Sequence, residues 1–133
     1  MAATDFKSKA DQACLAGEEF HKLYYETFDK RRSKLSKLYL DTASLVWNGN
    51  ACNGIAEIAK LFEQLPSSDF KVETLDCQPI IEEATGSHTS ILVNISGNVK
   101  FQDSKVHIFH QNFILTIQGD VWKIASDCLR FQE

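Results

Sequence analysis

An α+β fold, with three helices gathered on one side of a bent antiparallel sheet, is what this sequence predicts, and three observations carry the prediction. In the first half, apolar residues recur every three or four positions, the spacing of one helix face. From Phe70 onward the period drops to two, as in strands that bury one side. The helical stretches come before the main run of strands, the order of segregated α+β domains rather than alternating α/β ones.

Residues 5–28 read as the first helix. Phe6, Ala10, Ala13, Gly17, Phe20, Tyr24 and Phe28 form one stripe, with Lys7, Asp11, Glu18 and Lys22 off it. Thr4 or Asp5 would cap its start. A short second helix is expected in "DKRRSKLSKLYL", residues 29–40, with Leu35, Leu38 and Tyr39 facing inward. "ASLVW" then reads as a strand entering the turn "NGN". Asn53 would cap a third helix, whose buried side is Ile55, Ile58, Ala59, Phe62 and Leu65. "LPSS" ends it, because proline disfavours helix at the residue before it. Strands are expected at 70–80, 89–102, 105–118 and 121–132, separated by the loop "EEATGS", a turn near "DS" and a tight "GD" turn.

The 133 residues form one expected domain, 1–133, with no repeat, linker or low-complexity tract. No stretch approaches the ~18 apolar residues of a membrane span, and the N-terminus does not resemble a secretory leader. A net charge of -4 argues against bulk nucleic-acid binding, which asks for a basic face. Cys14, Cys52, Cys77 and Cys128 are too scattered for metal-ligand spacing and read as reduced thiols packed as small apolar groups. His107 and His110 fall on opposite strand faces, and His21 and His88 lie in other elements, so no ligand cluster is visible and no cofactor is expected.

The strands pose the functional question. In 105–118, Phe109, Gln111, Phe113, Leu115 and Ile117 share one face, and His110, Asn112, Ile114 and Thr116 the other. In 89–102, Ile91, Val93, Ile95, Val99 and Phe101 oppose Leu92, Asn94, Ser96 and Asn98. In 121–132, Trp122, Ile124, Ser126, Cys128 and Arg130 oppose Val121, Lys123, Ala125, Asp127, Leu129 and Phe131. One face is apolar and the other mixed, whereas a solvated face should be more cleanly polar. The mixed face suits a protein interface, a shallow pocket, or ordinary exposed apolar scatter.

Candidate interface residues are Arg130, with its planar fork for a partner carboxylate, and its neighbours Trp122, Ile124 and Cys128. Asp76, a poor strand former in mid-strand, would pair across the sheet or reach the partner. Of Gln111 and Asn112, which face opposite ways, the expectation falls on Gln111 together with Phe113 and Leu115. Trp47 serves either as an interface anchor or in the core. "DKRRSK" is either a localisation or RNA-contact signal or the wet side of a helix.

"LYLDTASLVWNGN", "LPSSDF", "DCQPI", "HQNFILT" and "VWKIASDCLRF", in that order, resemble the nuclear transport factor 2 superfamily, and within it the small partners of the mRNA export receptor. The resemblance spans nearly the whole chain. It implies a cone-like nuclear transport factor 2-like fold whose open sheet face is buried against a similar domain of the receptor, giving a heterodimer. It also implies a non-enzymatic role: support of the receptor's docking on nucleoporins, and a location at the nucleus and nuclear pore with shuttling to the cytoplasm. The arginine matching Arg130 lies in that interface in the family. One departure stands out. Nuclear transport factor 2 itself has "WEG", whose glutamate grips the GDP form of Ran; here Asn48 fills that place and offers no charge-assisted bond.

Two other functions fit the same fold. A homodimeric transport adaptor binding nucleoporin repeats or Ran would show a self-complementary sheet face. An isomerase or dehydratase would need an open cavity lined by a buried acid or base, with Tyr24 or Tyr25 and Asp76 or His110 as candidates.

Overall fold

The computed structural model describes residues 3–80, 89–102 and 104–132. Helix α1 spans Ala3–Lys30, a 3₁₀ helix Arg32–Leu38, and α2 Ile55–Glu63. The strands are β1 (Tyr39–Trp47), β2 (Asn50–Asn53), β3 (Ser68–Ile80), β4 (Ser90–Phe101), β5 (Val106–Gln118) and β6 (Val121–Gln132). They form one six-stranded sheet in the order β2-β1-β6-β5-β4-β3. No helix among the described residues is long and apolar enough to cross a membrane.

The first helix, the four long strands and the GD turn lie where the periodicity put them. Four features correct the reading. Thr4 and Asp5, the expected caps, already lie inside α1. The expected second helix is split, its first residues finishing α1 and its last, Tyr39 and Leu40, opening β1. Asn53 belongs to β2, and the residue preceding α2 is Gly54, while the Asn53 N–H donates to Glu57 Oε1 at 3.1 Å. The sheet is mixed rather than antiparallel, because β1 runs parallel to β6. The loop "EEATGS", His88 and Asp103 lie outside the described residues.

The β1–β2 hairpin closes on Asn48 (φ 47°) and Gly49 (φ 88°). Two consecutive positive φ values are what a two-residue turn matched to strand twist requires, and Asn-Gly is the pair that tolerates them. The Asn48 Oδ1 also accepts the Phe131 N–H at 2.7 Å, tying this turn to the end of β6.

The core sits between the helices and one sheet face. Phe28 is fully buried and meets Trp47, Phe62, Phe70 and Phe101, with ring centroids 4.8–6.5 Å apart. Trp47, at 7% exposure, is thus a core residue. Alpha1 lies very close to β3 at Gly17, where any Cβ would overlap the Cys77 thiol. Gly17→Ala is expected to cost about 1–3 kcal/mol, the usual overpacking range. Cys77→Ala should relieve part of that in the double variant, as read by a denaturant-unfolding cycle.

Arg32 locks the helices together. Its Nε donates to the Phe28 carbonyl (2.7 Å), Nη1 to Leu65 (3.2 Å), and Nη2 to Pro66 (2.9 Å) and Ser68 Oγ (3.1 Å). Its guanidinium carbon lies 4.4 Å from the centre of the Phe28 ring. The side chain therefore satisfies carbonyls beyond the end of α2 that no helical N–H can reach. Arg32→Ala should lower stability by about 2 kcal/mol in thermal melts, with Arg32→Lys recovering little because an ammonium lacks the fork. In "DKRRSK", then, Arg32 is structural, while Lys30, Arg31 and Lys34 are exposed.

Candidate partner interface and the buried network behind it

Register fixes which side chains share the sheet face turned away from the helices. Asp76, Asn94, Asn112, Cys128 and Val46 are successive partners across β3, β4, β5, β6 and β1. Residues directly opposite one another point to the same side, so these five form one row. The rows beside it are Thr74, Ser96, His110 and Arg130, and Gln78, Leu92, Ile114, Ser126 and Ser44. This face mixes polar groups with Leu92, Ile114 and Val46, and no helix among the described residues covers it. Thr74 and Ser96 share a hydroxyl hydrogen bond, and His110 meets Gln132 Oε1 at 2.9 Å.

Three of the eight candidates, Asp76, Cys128 and Arg130, lie here. Among the described residues nothing hydrogen-bonds or ion-pairs with the exposed Arg130 side chain. The others are corrections. Gln111, Phe113 and Leu115 do share a face, but it is the helix side, with 1%, 0% and 0% exposure. Their face carries the fully buried Phe109, Phe113 and Leu115, and burial of that area outweighs the one polar member.

Ile124 is fully buried as well, because β6 bulges at Ala125: Ser126 pairs with Ile114 but Ile124 with the adjacent Leu115. A bulge reverses side-chain parity. Ile124 therefore joins Asp127 and Leu129 inside instead of Cys128 and Arg130 outside. Past the bulge Trp122 follows Ile124 to the helix side, where it lines a hollow of about 180 Å³ with Gln12, Ala13 and Ile91.

The inner face holds a polar cluster that sequence reasoning missed. Asp127, 1% exposed, accepts from the Tyr39 hydroxyl at 2.6 Å and from Gln111 Nε2 at 2.9 Å. Tyr24 and Tyr39 share a 2.8 Å hydrogen bond, and the Tyr25 hydroxyl donates to Gln111 Oε1 at 2.6 Å. Burial pushes the Asp127 carboxyl up to about 7, opposed by the hydrogen bonds from Tyr39, Gln111 and Tyr24. Burial likewise raises all three tyrosines well above the usual phenol range. The signal was one aspartate in the alternation set that contains Leu129; its tyrosine partners lie too far off in sequence for spacing to reveal.

This cluster has the elements of an acid–base site, but its carboxyl is sealed. Phe113 packs 4.7 Å from Tyr24, and Phe20 closes over both rings at 5.9–6.1 Å. The larger surface hollows, of about 470 and 600 Å³, are lined by other residues. Among the described residues no group of three or more His, Cys, Asp or Glu side chains is placed to hold a metal. The cysteines are unpaired, and Cys14 is exposed rather than packed.

Known proteins share both sequence and architecture with this chain. NTF2-related export protein 2 of Homo sapiens is 57% identical, over 97% of this chain and 94% of its own. NTF2-related export protein 1 of Bos taurus is 56% identical, over 100% of this chain and 98% of its own. The solved structure of nuclear transport factor 2 from Cryptosporidium parvum superposes with a TM-score of 0.77 at 27% identity, covering 93% of this chain and 95% of that one. The family model for the nuclear transport factor 2 (NTF2) domain matches residues 16–131, and the chain belongs to that family.

Proposed function

We propose that this chain is a non-enzymatic subunit of nuclear mRNA export. It pairs through its open sheet face with the nuclear transport factor 2-like domain of an mRNA export receptor, as a heterodimer. It thereby stabilises that domain for docking on nucleoporins. It touches nucleoporins through the complex, binds neither nucleic acid nor membrane directly, and works at the nuclear pore, shuttling between nucleus and cytoplasm.

The observation that carries the reading is a sheet face left open among the described residues, on which the Arg130 side chain has no partner among them. An arginine fork with no carboxylate partner among the described residues, beside Cys128 and His110, is what a partner with a matching acid would complete. Identity of more than half to export proteins over nearly full length supports the process. The sealed Asp127 supports a non-catalytic role, since a general acid must come within hydrogen-bond reach of its substrate.

Size exclusion with light scattering tests this directly. The chain mixed with the nuclear transport factor 2-like domain of an mRNA export receptor should elute as a 1:1 complex. A homodimer that ignores that domain would overturn the proposal in favour of a homodimeric adaptor.

A further inference from the structure

The basic run around Ser33 is not used by the sheet interface. Ser33 is exposed on the 3₁₀ helix, directly after Lys30, Arg31 and Arg32 and before Lys34, of which only Arg32 is committed to internal bonds. Arg31 makes one loose surface pair with Glu26, at 3.6 Å. Seven residues is long for a 3₁₀ helix, whose hydrogen bonds are poorly aligned, and Leu35 is its one buried residue. A serine preceded by exposed cationic side chains on a surface turn is what an enzyme with an acidic peptide groove recognises.

We propose that Ser33 is a phosphorylation site for an arginine-directed serine/threonine kinase, and that its phosphate releases the Arg32 lock. In the transfer, Ser33 Oγ bonds to the γ-phosphorus of ATP as the bond to the β-phosphate bridging oxygen breaks. ADP leaves, and the hydroxyl proton passes to the kinase's base. Ser33 lines the same surface hollow, about 470 Å³, as Lys30, Arg32, Phe62 and Leu65. The doubly charged phosphate competes there for the Arg32 guanidinium with the neutral carbonyls of Leu65 and Pro66, and charge-assisted bonds are the stronger. Asp29 and Glu63 border the hollow too and repel the new charge, which adds to the loosening.

The test incubates the full chain with the catalytic domain of an arginine-directed kinase and ATP, followed by site mapping and thermal melting. Phosphate should appear on Ser33, and Arg31→Ala, an exposed change that leaves the fold intact, should slow its incorporation about tenfold. The phosphorylated chain should melt below the unmodified one, with a smaller drop in an Arg32→Lys background. Phosphate on Ser36 alone, or none, overturns the site. Phosphate on Ser33 with an unchanged melting temperature overturns the release of Arg32.

Discussion

Asp127→Ala is expected to lower folding stability by about 3–5 kcal/mol, a large part of the ~5–15 kcal/mol that holds a typical domain together. The alanine would leave the Tyr39 hydroxyl and one Gln111 N–H without their buried acceptor, and each orphan costs about 1–3 kcal/mol. It would also open a cavity beneath Phe113 and Tyr24. Asp127→Asn should cost less, because the Gln111 amide can turn to meet the new amide.

The same residue makes stability depend on pH. An unfolded aspartate loses its proton near pH 4, whereas folded Asp127 holds its own up to about 7. Between those values the folded state binds more protons than the unfolded state, so stability falls as pH rises from about 4 to 7 and levels off above. Half-buried Asp29, its carboxyl also raised by burial, contributes with the same sign. Chemical denaturation at pH 5 and pH 8 should show the decline in the parent chain, and a flatter profile in Asp127→Asn.

Arg130→Glu should weaken receptor-domain binding by about 2–5 kcal/mol, or a factor of roughly thirty to several thousand in Kd. The loss combines the missing bidentate bond with a carboxylate set against the partner's acid. Because Arg130 is exposed and has no partner among the described residues, folding stability should change by no more than about 0.5 kcal/mol. Asp127→Ala should do the reverse, costing stability and affecting binding only through unfolding. Isothermal titration beside thermal melts separates the two.

How much of this was legible depends on how local the cause is. The α1 stripe of Ala13, Gly17, Phe20, Tyr24 and Phe28 is buried as the helical period requires, and so are Ile91, Val93, Ile95, Val99 and Phe101 on β4. Both follow from the geometry of a single element. The parallel pairing of β1 with β6 does not, because no local signal in a nine-residue strand fixes the direction of a neighbour some eighty residues away.

Five of the eight candidate residues lie on the helix side instead, for two physical reasons. The bulge at Ala125 reversed parity midway along β6, so Ile124 and Trp122 moved to the helix side. Gln111 faces the helices rather than a partner, and no neighbour in its own strand reveals what satisfies it there. Tyr25 and Asp127 satisfy it instead, from elements 86 and 16 positions away. Arg130 and Cys128 stay on the open face because they lie beyond the bulge at Ala125, in unbroken register with β5.

The measurement that tests the account most directly is thiol alkylation followed residue by residue, because the chain carries its own internal control. Cys128 sits in the central row of the open sheet face, and Cys14 lies on the exposed side of α1. Adding the receptor's nuclear transport factor 2-like domain should slow modification of Cys128 strongly and leave Cys14 unchanged. Equal protection of both thiols, or Cys128 reacting as fast in the complex as alone, would contradict the sheet face as the partner interface.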